Sequence, residues 1–446
     1  MPTTPGGWFI QVLIFVIVGY PIVGGLAFIV SSFYYKLFLE KHDLPQPLRG
    51  EPPFVTIFVP AHNEEASIAS TVRYLFTKLN YPLDKYEVMV LNDGSTDRTG
   101  EILDELQQEF EGLRVLTVVA NRGKAAAFNL GLGFAKGDFI LSNDADTKPS
   151  PDALWQYMSY FERPGGHNVG AVTGNMLAAN RTTMTALAQQ NELNSIIGII
   201  KRGQMAIGSL FAFSGANTMY RRQAVLDGGG WHPEQPTEDI ANAWDMQTMG
   251  WRALFAAHIR FFLDVPEKLG PLIKQRRRWS SGGIYVLLTK GPRLMRHPIT
   301  NYAMIPVIFD YALSIVWSFL YWISMAIFAL LQLYFLATLN WERFFHNWYM
   351  VGIFVAIEMI VGAIQVSTAS YYNDGGRTLK YLIFAPWYML VYWMVNTFTV
   401  VWEFFPTVRK ILALRDGGVW KSPERSASLT GGEPRQGEPQ QEVPQR

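Results

Sequence analysis

"YEVMVLNDGSTDRTGEIL", residues Tyr86 to Leu103, begins as a β-branched, apolar run, breaks at an Asn-Asp-Gly turn, and continues through Ser, Thr and Asp caps into a helical stretch. The same plan of strand, polar loop and helix is legible on either side. "FVTIFVPAHNEE" (Phe54 to Glu65) is a buried-type strand that stops at a proline and turns polar, and "GDFILSNDADT" (Gly137 to Thr147) repeats it. With helical stretches at Glu65 to Leu79 and Gly100 to Phe110 between the strands, the pattern predicts an α/β domain built on an open, mostly parallel, Rossmann-like sheet. Ligands of such sheets sit beyond the carboxyl ends of the strands, where all three polar loops fall.

The acids in those loops are the first candidates for chemistry. Asp144 and Asp146 are two apart, so in an extended segment both carboxylates point to one side and can share a hard divalent cation that carries phosphate oxygens. The plainer alternative is a solvated acidic turn. Asp93 reads either as ordinary turn chemistry or as a carboxylate that accepts hydrogen bonds from a nucleobase. In "PTEDIANAWDMQTMGW" (Pro236 to Trp251), Thr237 is placed to cap a helix whose first turn holds Glu238 and Asp239, which the helix dipole favours without any function. The competing reading makes Asp239 a general base.

"KQRRRW" (Lys274 to Trp279) sets four basic side chains beside an indole. On a helix Gln275, Arg278 and Trp279 stand at i, i+3 and i+4 and share a face, which offers an amide, a guanidinium for phosphate and a flat ring for a sugar. A juxtamembrane patch touching anionic lipid accounts for Lys274 and Arg276, but not for that shared face.

Lys and Arg number 38 against 37 Asp and Glu, a net charge of +1, so no basic field exists that would gather nucleic acid. The apolar fraction of 49% leans towards membrane segments. Trp8 to Val30 carries no charge and exceeds the roughly 20 residues a spanning helix needs. The stretch before it lacks the basic residues of a signal peptide. Lys36 and Lys41 follow it, which places the next segment in the cytoplasm. Further apolar blocks lie at Tyr302 to Leu339, Tyr349 to Val366 and Tyr381 to Phe404. The expected layout is an anchor (1–39), a cytosolic domain inserted between membrane segments (50–300), a membrane bundle (301–408) and a tail, first basic and then disordered (409–446). Three crossings after the domain would put the basic residues Arg409 and Lys410 outside. Either the first block therefore crosses twice or one block is interfacial. The absence of cysteine excludes a disulfide framework and a Cys-type zinc site.

Together "NDGSTD", "DAD", "TED" and "QRRRW", in this order and ahead of apolar blocks, resemble the processive inverting family 2 glycosyltransferases, which include cellulose, hyaluronan and poly-N-acetylglucosamine synthases. The stretches Thr173 to Gln204, Phe213 to Arg222 and Val419 to Ser426 resemble the bacterial poly-β-1,6-N-acetylglucosamine synthases in particular. The resemblance implies a GT-A fold and a UDP-GlcNAc-dependent transferase of the inner (plasma) membrane that polymerises and translocates a biofilm exopolysaccharide. It implies that Asp93, Lys124, Pro60, Asn63 and Glu64, with Asp144, hold the nucleotide. Asp144 and Asp146 would bind Mg²⁺ or Mn²⁺ and Asp239 would be the base. Gln275, Arg278, Trp279 and Glu238 would form the acceptor and leaving-group site. The implied partners are the UDP-sugar donor, the growing glycan chain, the lipid membrane and a small membrane accessory subunit.

Two alternatives stand beside this. A hyaluronan, cellulose or other β-glucan synthase would share every motif, and donor competition between UDP-glucose and UDP-N-acetylglucosamine separates it. A non-catalytic nucleotide-sugar-binding transporter or receptor would release no UDP from any donor.

Overall fold

The computed structural model describes residues 5–43 and 50–413. Its eight strands are β1 (Val55–Ala61), β2 (Tyr86–Asp93), β3 (Leu113–Val118), β4 (Phe139–Asn143), β5 (Thr147–Pro149), β6 (Val169–Ala178), β7 (Asn217–Arg221) and β8 (Arg252–Leu263). They form one sheet in the order β3-β2-β1-β4-β7-β6-β8-β5. The half from β3 to β4 is parallel, as the strand–loop–helix repeats predict. Beyond β4 the sheet is mixed: β7 runs antiparallel to both β4 and β6, β8 is parallel to β6, and β5 closes the edge antiparallel to β8.

Every residue of β1 and β2 is buried, which is why both read as continuous apolar runs and not as alternating ones. Helices Ile68–Lys78, Thr99–Glu109 and Lys124–Phe134 flank this half. The last approaches the sheet closely at Gly131, where a Cβ would meet Phe58 and Leu91 at 3.0 Å. The first begins later than the sequence suggests, because the Glu64 carbonyl takes the N–H groups of both Ser67 and Ile68 in a turn.

Among the described residues, three helices are long and apolar enough to cross a membrane: Phe15–Leu39, Tyr302–Ala337 and Trp341–Asn373. The fourth apolar block does not form a comparable helix. It divides into a 3₁₀ segment (Arg377–Phe384), a short turn (Ala385–Trp387), a π-helical turn (Tyr388–Tyr392) and the helix Trp393–Leu412. That last helix lies along Leu269–Met295, joined by Ser280 to Thr399 at 3.0 Å, Ser281 to Thr407 at 2.9 Å and an Arg277–Glu403 ion pair. Near the end of the first long helix, Glu40 pairs with buried Arg202, which also donates to the Asn373 side chain at the end of the third. The tail from residue 414, with its "VWKSPERS" stretch, lies outside the described residues.

Candidate active site

The loops that follow β1 and β2 are fastened to each other before any ligand is considered. Asn63 has a left-handed φ of 57°, and from there its side-chain oxygen accepts the Thr96 N–H at 2.8 Å while its own N–H reaches Ser95 Oγ at 3.1 Å. Pro60 sits in the β1 ladder opposite Leu91. Glu64 is buried and drawn into local structure, its N–H on Thr99 Oγ1 at 2.8 Å and its Oε2 accepting from Ser67 Oγ at 2.9 Å. Asp93, buried at the end of β2, accepts the backbone N–H groups of Arg122 (2.9 Å) and Gly123 (2.7 Å). The carboxylate thus shapes the turn that launches the helix of Lys124, and each oxygen keeps a second lone pair.

The Asp-x-Asp pair is not extended. Thr147 N–H returns to the Asp144 carbonyl at 3.0 Å, and the Asn143 amide bridges the Asp144 and Thr147 carbonyls at 2.9 and 3.0 Å, closing a turn between β4 and β5. Asp144 and Asp146 nevertheless flank buried Ala145 and are both partly exposed. Among the described residues no group of three or more His, Cys, Asp or Glu could hold a metal ion alone. Two half-buried carboxylates on one turn fit a hard, oxygen-seeking divalent ion of the kind that takes its other ligands from phosphate and water.

Lys124 is where the acids converge. Its Nζ lies 2.7 Å from Asp144 Oδ1, 3.3 Å from Glu238 Oε1 and 3.0 Å from the Gly215 carbonyl. Burial pulls the ammonium down, but Asp144, Glu238 and Asp239 outweigh it and hold its pKa above the ordinary lysine value. Asp239 opens the helix Glu238–Thr248, with Oδ1 on the Ile240 N–H at 2.9 Å. Burial, then Glu238, pushes its carboxyl up to about 6, while Lys124 and Arg278 restrain the rise. The expected cap at Thr237 does not form. Thr237 has extended backbone at the N-cap position, but its Oγ1 is buried with no hydrogen-bond partner among the described residues and faces Gly282 of the neighbouring helix.

The helix Leu269–Met295 carries Gln275, Arg278 and Trp279 as the spacing predicts, with Arg278 exposed and near enough to act on Asp239. The lipid-patch alternative does not hold for Arg276: it is buried, ion-paired with buried Glu192, and its guanidinium lies 4.1 Å from the centre of the Trp279 ring. Sequence reasoning also passed over two groups near Asp239. The Gly215 carbonyl accepts from both Lys124 and Ser142, and Lys201 is a buried amine on Ser214 Oγ at 2.7 Å. Burial lowers Lys201 to about 8, with Asp239 acting against the shift. "FSGAN" gave no chemical signal, since a backbone carbonyl has no residue signature.

The carboxyl ends of the parallel strands thus gather several acids, with the raised carboxyl of Asp239 at a helix start and Arg278 and Trp279 nearby, on a chain that also carries membrane-length helices. The family described as Glycosyl transferase family 2 matches residues 56–229. Poly-beta-1,6-N-acetyl-D-glucosamine synthase of Staphylococcus epidermidis is 30% identical over 416 residues, covering 91% of this chain and 97% of that protein. The Staphylococcus aureus protein of the same name is 31% identical over 412 residues with the same coverage. Among solved structures, the mannosyltransferase PcManGT from Pyrobaculum calidifontis, in complex with GDP-Man and Mn²⁺, superposes with a TM-score of 0.53 at 21% identity, covering 78% of this chain and 98% of that one, which supports the GT-A fold. The chain belongs to glycosyltransferase family 2, and its similarity to the poly-β-1,6-N-acetylglucosamine synthases extends over nearly its whole length.

Proposed function

We propose that the chain polymerises N-acetylglucosamine from UDP-GlcNAc into a β-1,6-linked glycan. The observation that carries the chemistry is the buried carboxyl of Asp239 at the start of the helix Glu238–Thr248, raised by burial and Glu238 and restrained by the charges of Lys124 and Arg278. The full-length similarity supports the sugar and linkage. A sugar hydroxyl is a poor nucleophile, so a carboxylate must take its proton as it attacks the anomeric carbon opposite the departing phosphate. A carboxyl lifted to about 6 is ionised at neutral pH and remains a better proton acceptor than an ordinary aspartate. In-line attack inverts an α-linked donor to a β-linked product. Arg278 and Lys124 supply positive charge where the UDP leaving group gains negative charge.

Asp144 and Asp146 would hold Mg²⁺ or Mn²⁺, which when bound neutralises charge on the diphosphate. Asp93, with the loops of Pro60, Asn63 and Glu64, would receive the uridine end. Gln275 and Trp279, with Glu238 close by, would receive the acceptor.

Three crossings, at the three long helices, support a topology in which the catalytic domain and the helix Trp393–Leu412 share the cytoplasmic side. Arg409 and Lys410 then stay inside, as the positive-inside rule requires, and the Tyr381–Phe404 block is interfacial. The proposal includes translocation of the polymer across the inner (plasma) membrane and a small accessory membrane subunit. Proteoliposomes with the chain alone should then make less polymer than those with its partner.

The deciding experiment feeds membranes containing the chain labelled UDP-GlcNAc with Mg²⁺ or Mn²⁺, with UDP-glucose as competitor. A polymer cleaved by a β-1,6-specific hexosaminidase is the expected product. Incorporation of glucose, or no UDP release at all, would reject the reading.

A further inference from the structure

The face of Trp279 that looks back along its helix is already occupied. The Arg276 guanidinium lies 4.1 Å from the indole centroid and is held from behind by Glu192, through an ion pair of Nη2 with Oε2. The other Glu192 oxygen accepts from Asn396 Nδ2 at 3.2 Å. Three elements therefore meet behind one ring: the helix Met184–Ser195 with Glu192, the helix Leu269–Met295 with Arg276, and Trp393–Leu412 with Asn396. Arg276 and Glu192 are buried while Trp279 stays partly exposed.

Stability alone is a weak reason for this arrangement. A buried ion pair seldom outperforms well-packed apolar residues of the same volume, because both ions lose their water. A planar guanidinium does something an apolar side chain does not: it stacks on an aromatic face and fixes the plane of the ring. We propose that Arg276 and Glu192 are positioning residues that clamp the Trp279 indole so that its open face is presented to the glycan acceptor. The proposal rests on the reading of Trp279 as the acceptor platform. Glu192 touches no substrate in this scheme and acts through Arg276, as Arg276 acts through Trp279.

The test uses the purified full chain in lipid nanodiscs and measures two rates with UDP-GlcNAc. One is hydrolysis of the donor by water, and the other is transfer to added β-1,6-linked glucosaminyl oligomers. Arg276→Lys keeps the charge for Glu192 but loses the stack, and should raise the acceptor KM about fivefold or more. Donor hydrolysis by the folded variant should stay at the wild-type rate. Arg276→Met combined with Glu192→Gln removes both charges together, so neither is left buried alone, and should give the same split. A wild-type acceptor KM in either variant, or an equal fall in hydrolysis and transfer, would overturn the clamp. Trp279→Ala is the reference arm. If it leaves the acceptor KM unchanged, the platform reading fails and the clamp with it; if it raises KM while Arg276→Lys does not, the clamp alone fails.

Discussion

Thr237 and Gly282 are in direct contact, so close that a Cβ on Gly282 would stand 2.0 Å from Thr237 Oγ1 and 2.7 Å from its Cβ. The next residue repeats the device on the other side, where a Cβ on Gly283 would stand 2.2 Å from the Tyr311 hydroxyl of a membrane-length helix. The paired glycines let one helix lie between the Thr-Glu-Asp turn and the membrane segment with no side chain intervening.

Helix propensity and packing give opposite signs for Gly282→Ala. Alanine gains up to about 1 kcal/mol in a helix interior, whereas overpacking a filled site costs about 1–3 kcal/mol. With three Thr237 atoms inside 3.0 Å, the cost wins. Gly282→Ala should lower the thermal midpoint and reduce polymer synthesis, and adding Thr237→Ala should recover part of both. A Gly282→Ala protein as stable and active as wild type would contradict the contact.

The carboxyl of Asp239, raised to about 6, must be ionised to act as a base. The rate should therefore rise with pH through about 6 and level above it, falling about tenfold per unit on the acid side. Asp239→Asn should slow synthesis by about 10²- to 10⁴-fold, the usual worth of general-base catalysis, while UDP binding persists. Measuring UDP affinity beside the pH–rate profile checks both, and retained synthesis would leave Asp239 without its assigned role.

Chelation tests the turn between β4 and β5. EDTA should abolish transfer, and Mg²⁺ or Mn²⁺ should restore it, since two carboxylates and a diphosphate make an all-oxygen ligand set. Asp146→Asn should lose activity and stay folded in detergent. Full activity in EDTA would reject the assignment.

Arg278 and Trp279 should respond differently from the exposed basic residues around them. Arg278→Lys should impair transfer, because an ammonium cannot reproduce the guanidinium fork. Trp279→Ala should remove a stacking surface worth on the order of 1 kcal/mol and harm elongation more than donor binding. Lys274→Ala, on an exposed side chain, should change neither. Chain-length analysis of the products distinguishes these outcomes.

The parallel half of the sheet was legible because β1, β2 and β4 are buried along their whole length and each stops at a polar turn. The mixed half was not, because β7 and β8 lack such punctuation and their pairing depends on contacts distant in sequence. Among the site residues, Asp239, Asp144 and Arg278 stood out by charge and spacing. Their meeting at Lys124 did not, since nothing local to "NRGKAAAF" predicts carboxylates from positions 144 and 238. The environment of Arg276 was hidden for a related reason: a basic cluster beside membrane segments admits a lipid contact, and the acid that Arg276 pairs with is 84 residues away.

The joint at Arg202 sets an order of assembly. Its first carboxylate, on Glu40, is made 162 residues earlier, but its amide partner on Asn373 emerges 171 residues later. While the catalytic domain is being synthesised the guanidinium can be satisfied only in part, beside a single membrane-length helix. The joint becomes complete only when the third such helix has been made. Since contacts between residues far apart in sequence bear the largest loop-closure cost, this joint should be among the last to form and, once formed, ties the ends of the first and third membrane-length helices together.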